Sequence, residues 1–600
     1  MSSTALALLR RVARAPGVTA GLAWWRVRHD PVWLLLKAAD AVPVRRRMAV
    51  GTGLLRVAGA VLRRRPSSAT AAVAAAFALV QTGDDVGLDA LIASRMPRAG
   101  RRERVALARL LTEAGDPVAA LDLLRDASAT PAVLEARGRA HAGRGALREA
   151  LRDLGAAATA GSATAAVEHA RTDALIRATS PDWQAHVPAI PPVSPVRGRV
   201  LHLLNNSLPH VVAGYTVRTH RVAQAQRAAG LHPIMVTRAG FPVLQGVVDA
   251  GPSDDVDGIT YHRLPAEGLT RQGAAAQING NVARLAPLLT AHRPAVLHPT
   301  SPFDNARAAL ALGAATGLPV VYEVRGFLEE TWRARIGDGA ERTDRYRRTR
   351  AVEGWCMREA DRVVTLGEAM RADIIGRGVD PDRVVVIPNA VDPDDFVPRP
   401  ADPALRADLG FAAGEVVLGY VSSLVGYEGI GHLLTAIALL RARGRPVKGL
   451  IVGDGVERAA LQHLAGRLGI GDDVRFAGRV PVADVQRWYA QIDVFVVPRT
   501  NDRVARAVTP LKPLEAMALE RAVVTSDVPA LRELIDPGVT GLVFDAEDPE
   551  SLADTVEPLL DDPGARARLG AAAREWVAAE RTWRHNGARY RRLYTELGAV

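Results

Sequence analysis

The segment TPLKPLEAMALERAVVTSDVPALREL, residues 509–534, sets Lys512 and Glu515 three positions apart at the start of an apolar, helix-forming run. A helix start offers unpaired amide N–H groups and a partial positive charge, so it suits an anion such as a phosphate. Thr509, Pro510 and Leu511 lie just before that run, where their backbone can face the anion, and Lys512 adds a full positive charge. Glu515 can accept hydrogen bonds from hydroxyls, or it can simply be a helix-start carboxylate stabilised by the dipole. The chemistry that calls for such a set is departure of a diphosphate, whose charge grows as its bond to a transferred group breaks.

The elements around this segment read as α/β. VLHLLNN, HPIMVTRAG, ITYHRLP, AVLHPTS, VVYEVRG, RVVTLGE and VVVIPNAVD are short apolar runs, most of them separated by helical stretches. A second set, VVLGYVSSL, KGLIVGDG, VRFAGRV, VFVVPRT, AVVTSDVP and GLVFDAED, begins near Val416. Such alternation predicts two consecutive doubly wound domains with parallel sheets, and a ligand site beyond the carboxyl ends of the strands, in the cleft between them. The expected parse is a basic head at 1–65, an α-helical region at 66–186, a Pro-rich linker at 187–197, Rossmann-like domains at 198–395 and 396–575, and a C-terminal helix at 576–600. Within the α-helical region, Gly115 with Ala120-Leu121 recurs as Gly145 with Ala150-Leu151, which is compatible with tetratricopeptide-like helix pairs and a docking surface for a protein partner.

Six phrases in register over roughly 198–575 resemble the retaining glycosyltransferases of family four, which have the GT-B architecture of twin Rossmann-like domains. They are GYTVRTHRVAQAQRAAG, VVVIPNAVDPDDF, LIVGDGVERAALQHLAGRLGIGDDVRFAGRVP, RWYAQIDVFVVPRT, the Lys512/Glu515 segment and VTSDVPALRELIDPGVTGLVF. The resemblance implies transfer of a sugar from a UDP- or GDP-linked donor to a hydroxyl acceptor with retained anomeric configuration, no cofactor and no metal. It places Glu515 on the ribose and makes Lys512 and Arg325 catalytic candidates. It puts Asn389, Gly453, Gly455, Ser423, Arg499 and Gly214 with Thr509, Pro510 and Leu511 on the donor side. His298, Ser301 and Arg218 are assigned to the acceptor side.

The chain departs from that pattern in four places. Ala507 stands where the family usually has a Glu that holds the donor hexose. Ser423 and Glu428 stand where it has Arg and Lys, and Arg325 where it often has His. A variant branch with SLVxYEG and LKPLEAMA segments looks similar, and there Arg499, Arg503, Arg506 or Lys512 would replace the lost charge. Two further readings stay open: a nucleotide-sugar epimerase on the same fold, and a non-catalytic scaffold that binds a sugar nucleotide without turnover.

The net charge of +11 sits in the head, where thirteen Lys and Arg face only Asp30 and Asp40, so the rest of the chain is neutral. The head has no apolar run long enough to span a bilayer and no signal-peptide pattern. It reads either as Trp-bearing amphipathic helices on an anionic membrane face or as a solvated helical hairpin. Nucleic acid is not an expected partner, since no reading motif is present. The single cysteine, Cys356, excludes an intramolecular disulfide and is expected to be a core thiol. These features imply a cytoplasmic protein, peripheral on the plasma membrane if the head binds lipid, with a cell-envelope glycan or lipid-linked precursor as acceptor.

Overall fold

The computed structural model describes residues 68–600 apart from positions 83, 96, 246, 248–249, 266–272, 338 and 413, with isolated positions between 54 and 61. The reading of the basic head therefore lies almost wholly outside the described residues. From Ala69 to Ala178 the described chain is helical. The thirty-residue recurrence marks helix ends: Gly115 and Gly145 take left-handed φ values of 102° and 88° after the helices Arg101–Ala114 and Pro131–Arg144. Each releases the chain into a second helix, Pro117–Leu124 or Leu147–Thr159, whose Ala120 or Ala150 is fully buried against its mate.

The last helix of this array, Ala163–Ala178, packs on the helix Gly273–His292, with Ala174 and Ala178 inside the first Rossmann-like core. The segment that follows is pinned as well. The Arg307 guanidinium lies over the Trp183 ring at 5.4 Å and the Trp355 ring at 4.5 Å, and donates to the Ser180 and Trp183 carbonyls. The helical array is thus fixed to the first Rossmann-like domain.

That domain holds β1 (Arg199–Leu204), β2 (His232–Thr237), β3 (Ser253–Val256), β4 (Ile259–Arg263), β5 (Val296–Pro299), β6 (Val321–Glu323), β7 (Arg362–Thr365) and β8 (Val384–Val386). The order is β3-β4-β2-β1-β5, continued by parallel bridges Leu297–Val320 and Thr300–Glu323 into β6-β7-β8. Only β3 runs antiparallel to its neighbour. Its sequence, SDDV, has no apolar run, which is why the sequence reading does not contain it. Cys356 is fully buried behind this sheet, and burial pushes its thiol well above the usual range.

The second domain has β9 (Val416–Val421), β10 (Val447–Val452), β11 (Val474–Gly478), β12 (Val494–Val497), β13 (Ala522–Ser526) and β14 (Leu542–Phe544), all parallel, in the order β11-β10-β9-β12-β13-β14. Counted from its first strand this is 3-2-1-4-5-6, the dinucleotide-fold order, with its crevice between β9 and β12. Every residue of β12 is buried, so an uninterrupted VFVV run is what a central strand requires.

The boundary expected at residue 575 is corrected. The helix Pro563–Glu580 runs through it and belongs to the second core, where Ala573 and Val577 are fully buried. The chain then turns back, and the helix Trp583–Glu596 packs on the helix Gly214–Ala228 of the first domain. The two crossings lie together: the Val391 amide donates to Arg581 O at 2.8 Å, and Asn586 Nδ2 to Pro388 O at 2.8 Å.

Candidate active site

The Lys512 segment emerges between the sheets. The helix Lys512–Ala518 follows the buried Thr509-Pro510 pair, and Glu515 points back along it. The Glu515 carboxylate accepts from Tyr489 Oη at 2.8 Å and from Lys512 Nζ at 3.0 Å. Glu515 is mostly buried while Lys512 stays 36% exposed, so the cation is the partner that can swing to a ligand. Burial and the Glu515 carboxylate push the Tyr489 phenol well above its ordinary value, so it remains a donor. Across the cleft stands Gly214, first residue of the Gly214–Ala228 helix. A Cβ there would meet only Leu511 Cδ1, at 3.8 Å, so a methyl fits and the close approach expected of Gly214 is not enforced by protein atoms.

Gly453 and Gly455 are enforced, though by the protein itself. A Cβ at Gly453 would collide with Ser422 O and one at Gly455 with Leu424 O, so the loop after β10 can lie on the loop after β9 only with glycine at both places. Ser423, between those contacts, is exposed at the crevice.

The charges placed there by sequence are differently employed. Arg499 does not offer a free cation: Nη2 and Nε donate to Glu428 at 2.8 and 3.1 Å, and Nη1 donates to Val508 O at 2.7 Å. Tyr420 Oη closes the same carboxylate. The Glu428 charge reversal is therefore matched inside the fold by Arg499, and Val508 is tethered three residues before Leu511. Arg503 is engaged as well, donating to Glu330 and Tyr346, while the exposed Arg506 donates to the neutral Asn501 side chain. Ala507 is buried against the first domain's core.

Three assignments are corrected outright. Arg218 and His298 are expected to line the acceptor side, and both are buried away from it in one polar cluster. Its centre is Glu323, which accepts from Arg218 Nε (2.9 Å), Arg325 Nε (3.0 Å), His298 Nε2 (3.0 Å) and Tyr590 Oη (3.2 Å). Burial alone would raise the Glu323 pKa, but Arg325 and Arg218 hold it well below the usual carboxylate range. Burial lowers the His298 pKa, so that imidazole stays neutral. Asn389 is the third: its amide is spent between Thr509 O (2.7 Å) and the Arg218 guanidinium (3.2 Å), tying the crossing to the Lys512 segment rather than facing a donor. Arg325 also belongs to the Glu323 cluster through two nitrogens, and its Nη1 reaches Tyr215 O at 3.1 Å, beside Gly214. Ser301 is half-buried and accepts from the Arg325 amide at 3.1 Å.

The sequence reading missed Glu323, Tyr489, Tyr590 and Tyr594. One signal was available: Glu323 is a lone carboxylate inside the apolar run VVYEV, and a charge buried in a strand needs partners. It also missed Arg238, after β2, and Asp304, after β5. Arg238 Nε and Asp304 Oδ1 are buried and have no hydrogen-bond partner among the described residues, and both side chains sit at carboxyl ends of strands that flank β1.

Residues 213–390 match the family described as a glycosyl transferase 4-like domain, and residues 402–576 match glycosyl transferases group 1. The chain belongs to these glycosyltransferases, and its twin sheets have the GT-B architecture. It is similar to a 2-deoxystreptamine glucosyltransferase of Streptomyces kanamyceticus, 30% identical over 38% of this chain and 59% of that protein. A GDP-mannose-dependent alpha-(1-6)-phosphatidylinositol monomannoside mannosyltransferase of Mycobacterium tuberculosis is 34% identical over 33% of this chain and 52% of its own length. Among solved structures, Anabaena HepE in complex with UDP-glucose superposes with a TM-score of 0.52 at 18% identity, covering 66% of this chain and 99% of that one. The chain spans between about half and two thirds of the length of the curated relatives it matches.

Proposed function

We propose that the protein transfers a sugar from a nucleoside-diphosphate donor to a hydroxyl of a glycan or lipid-linked acceptor, with retention of anomeric configuration. The observation that carries this reading is the Tyr489–Glu515–Lys512 set at the mouth of the interdomain cleft. Tyr489 holds the carboxylate while Lys512 is free to leave it. When a donor enters, Lys512 turns from Glu515 to the diphosphate, and the vacated carboxylate oxygens accept the two ribose hydroxyls. Leaving-group charge is then met by Lys512 and by backbone amides at the starts of the Lys512 and Gly214 helices. The acceptor hydroxyl attacks from the first domain and gives up its proton to the departing diphosphate oxygen.

The donor base stays between uridine and guanosine, since one similar protein is GDP-mannose-dependent and one similar structure holds UDP-glucose. Calorimetric titration with UDP, GDP and their sugar conjugates distinguishes them. One nucleotide should bind, and Lys512→Ala should weaken it about tenfold, the loss of one charge-assisted contact of about 1.4 kcal/mol. A binding scaffold is the competing reading, favoured by Arg499 and Arg325 both being neutralised by protein carboxylates. Binding without sugar release or transfer would select it, and absence of nucleotide binding would defeat both.

A further inference from the structure

The helices Leu328–Ile336 and Asp344–Glu359, which follow β6, form a small module with a separate apolar centre: Trp332, Ala340 and Tyr346. One side of it receives the helical array. Gly145 sits with left-handed φ against the Trp332 ring, so that a Cβ there would come to 2.5 Å from it. Gly145 O accepts from the Arg345 amide at 3.0 Å, and Asp344 accepts from the Arg148 amide at 3.3 Å. The other side grips the second domain. Arg333 Nη2 donates to Asp502 at 3.1 Å, and Asp502 in turn caps Val504 N at 2.8 Å. The buried Glu330 orients this grip, accepting from Tyr346 Oη (2.5 Å), Arg333 Nε (3.1 Å) and Arg503 Nη1 (3.3 Å). Asp502 opens the stretch that runs through Ala507, Val508 and Thr509 to Lys512.

We propose that the helical array is a positioning element for the Lys512 segment, acting through the Gly145–Trp332 contact, the Glu330–Arg333 pair and Asp502. The steps run from array glycine to indole, from the indole through its cluster mate Tyr346 to the Glu330 carboxylate, and on by guanidinium and helix cap to the donor segment. Arg503 is 59% exposed, so its own ion pair contributes little, and the half-buried Arg333–Asp502 bond is the coupling contact. The segment's other polar tethers, Asn389 to Thr509 O and Arg499 to Val508 O, hold its far end, while at the near end the Arg333–Asp502 bond adds to the packing of the helix Arg503–Ala507 on its neighbours. If the segment binds the donor as proposed above, movement of the array changes donor affinity while the acceptor side is untouched.

The test is hydrogen exchange on the full chain with Gly145→Asn, because asparagine tolerates left-handed φ and so isolates the clash with Trp332 from backbone strain. Amides of 502–511 should exchange about fivefold faster, with the amides of β9 to β14 unchanged. Trp332→Ala added to Gly145→Asn makes room for the new side chain and should restore part of the protection. Arg333→Gln, which leaves the array docked, should loosen the same 502–511 amides with the array's own amides unchanged. UDP and GDP titrations of the same variants should show weaker binding in the first and third and partial recovery in the second. Faster exchange confined to the array and to 328–359 in Gly145→Asn would overturn the proposal. Because exchange is read without nucleotide, a wild type that binds neither UDP nor GDP would defeat the transferase reading and still leave this coupling decided.

Discussion

At the scale of single residues, the site is built from groups that are each engaged by a protein partner before any ligand arrives. Glu515 has Tyr489 and Lys512, Arg499 has Glu428, and Arg325 has Glu323. Tyr489 decides how the first of these works, because its hydroxyl keeps Glu515 in place once Lys512 leaves. Tyr489→Phe should therefore weaken nucleotide binding about tenfold or more, since a hydrogen bond to a charged group is worth about 1.5–3 kcal/mol, with little effect on folding. The check is titration beside thermal unfolding. Exchanging the Glu428–Arg499 pair for Gln and Lys tests a different role: a slack Val508 tether should lower turnover more than nucleotide affinity. Sequence placed Lys512 and Glu515 correctly at one helix start because spacing along a helix is local. It misassigned Arg218, His298 and Asn389 because exposure is not local: each follows a strand or enters a helix as a ligand residue would, while the last helix packs on Arg218 and His298, and Thr509 and Arg218 take up Asn389.

At the scale of elements, that last helix is the decisive one. Trp583–Glu596 brings Tyr590 and Tyr594 onto Glu323 and His298, and the hub also holds the Ile387 and Pro388 carbonyls through Arg218. Glu323→Gln strands two buried guanidiniums and should cost about 3–5 kcal/mol in denaturant unfolding. The pH dependence has a fixed sign. Since the folded pKa of Glu323 is depressed, its stabilisation is complete above the unfolded value of about 4.3 and is lost as pH falls toward the folded one. The wild type should accordingly lose stability on acidification below that value, and Glu323→Gln should flatten that limb of the unfolding curve. Thirteen of the fourteen strands among the described residues were legible as apolar runs bounded by turn residues, since strands of a doubly covered parallel sheet are near-continuously apolar. The missing one, β3, is an edge strand of polar residues.

At the scale of the whole molecule, the two Rossmann-like domains are held against one another by a latch as well as by the crossings. The Glu533 carboxylate of the second domain accepts from the Glu368 and Ala369 amides, at 2.8 and 2.6 Å, capping a helix of the first. Glu368 is the first residue of that helix, Glu368–Gly376. Glu533→Ala should open the cleft, read as a larger radius of gyration in small-angle scattering of the free protein, with nucleotide addition restoring the compact form. An unchanged radius would mean that the crossings alone set the closure. Among the described residues no helix is long and apolar enough to cross a membrane.

The sequence by itself determined the two sets of sheet strands, the helix pairs of the array and the helix start that carries Lys512 and Glu515. Each of these follows from periodicity, capping or spacing within a few residues. Tertiary structure alone decided which charges are spent. Arg499 meets Glu428 across 71 positions, Arg218 meets Glu323 across 105, and His298 meets Tyr594 across 296. A pairing over such separations leaves no local trace, because what selects it is the cost of burying either partner alone, and burial is a property of the assembled fold.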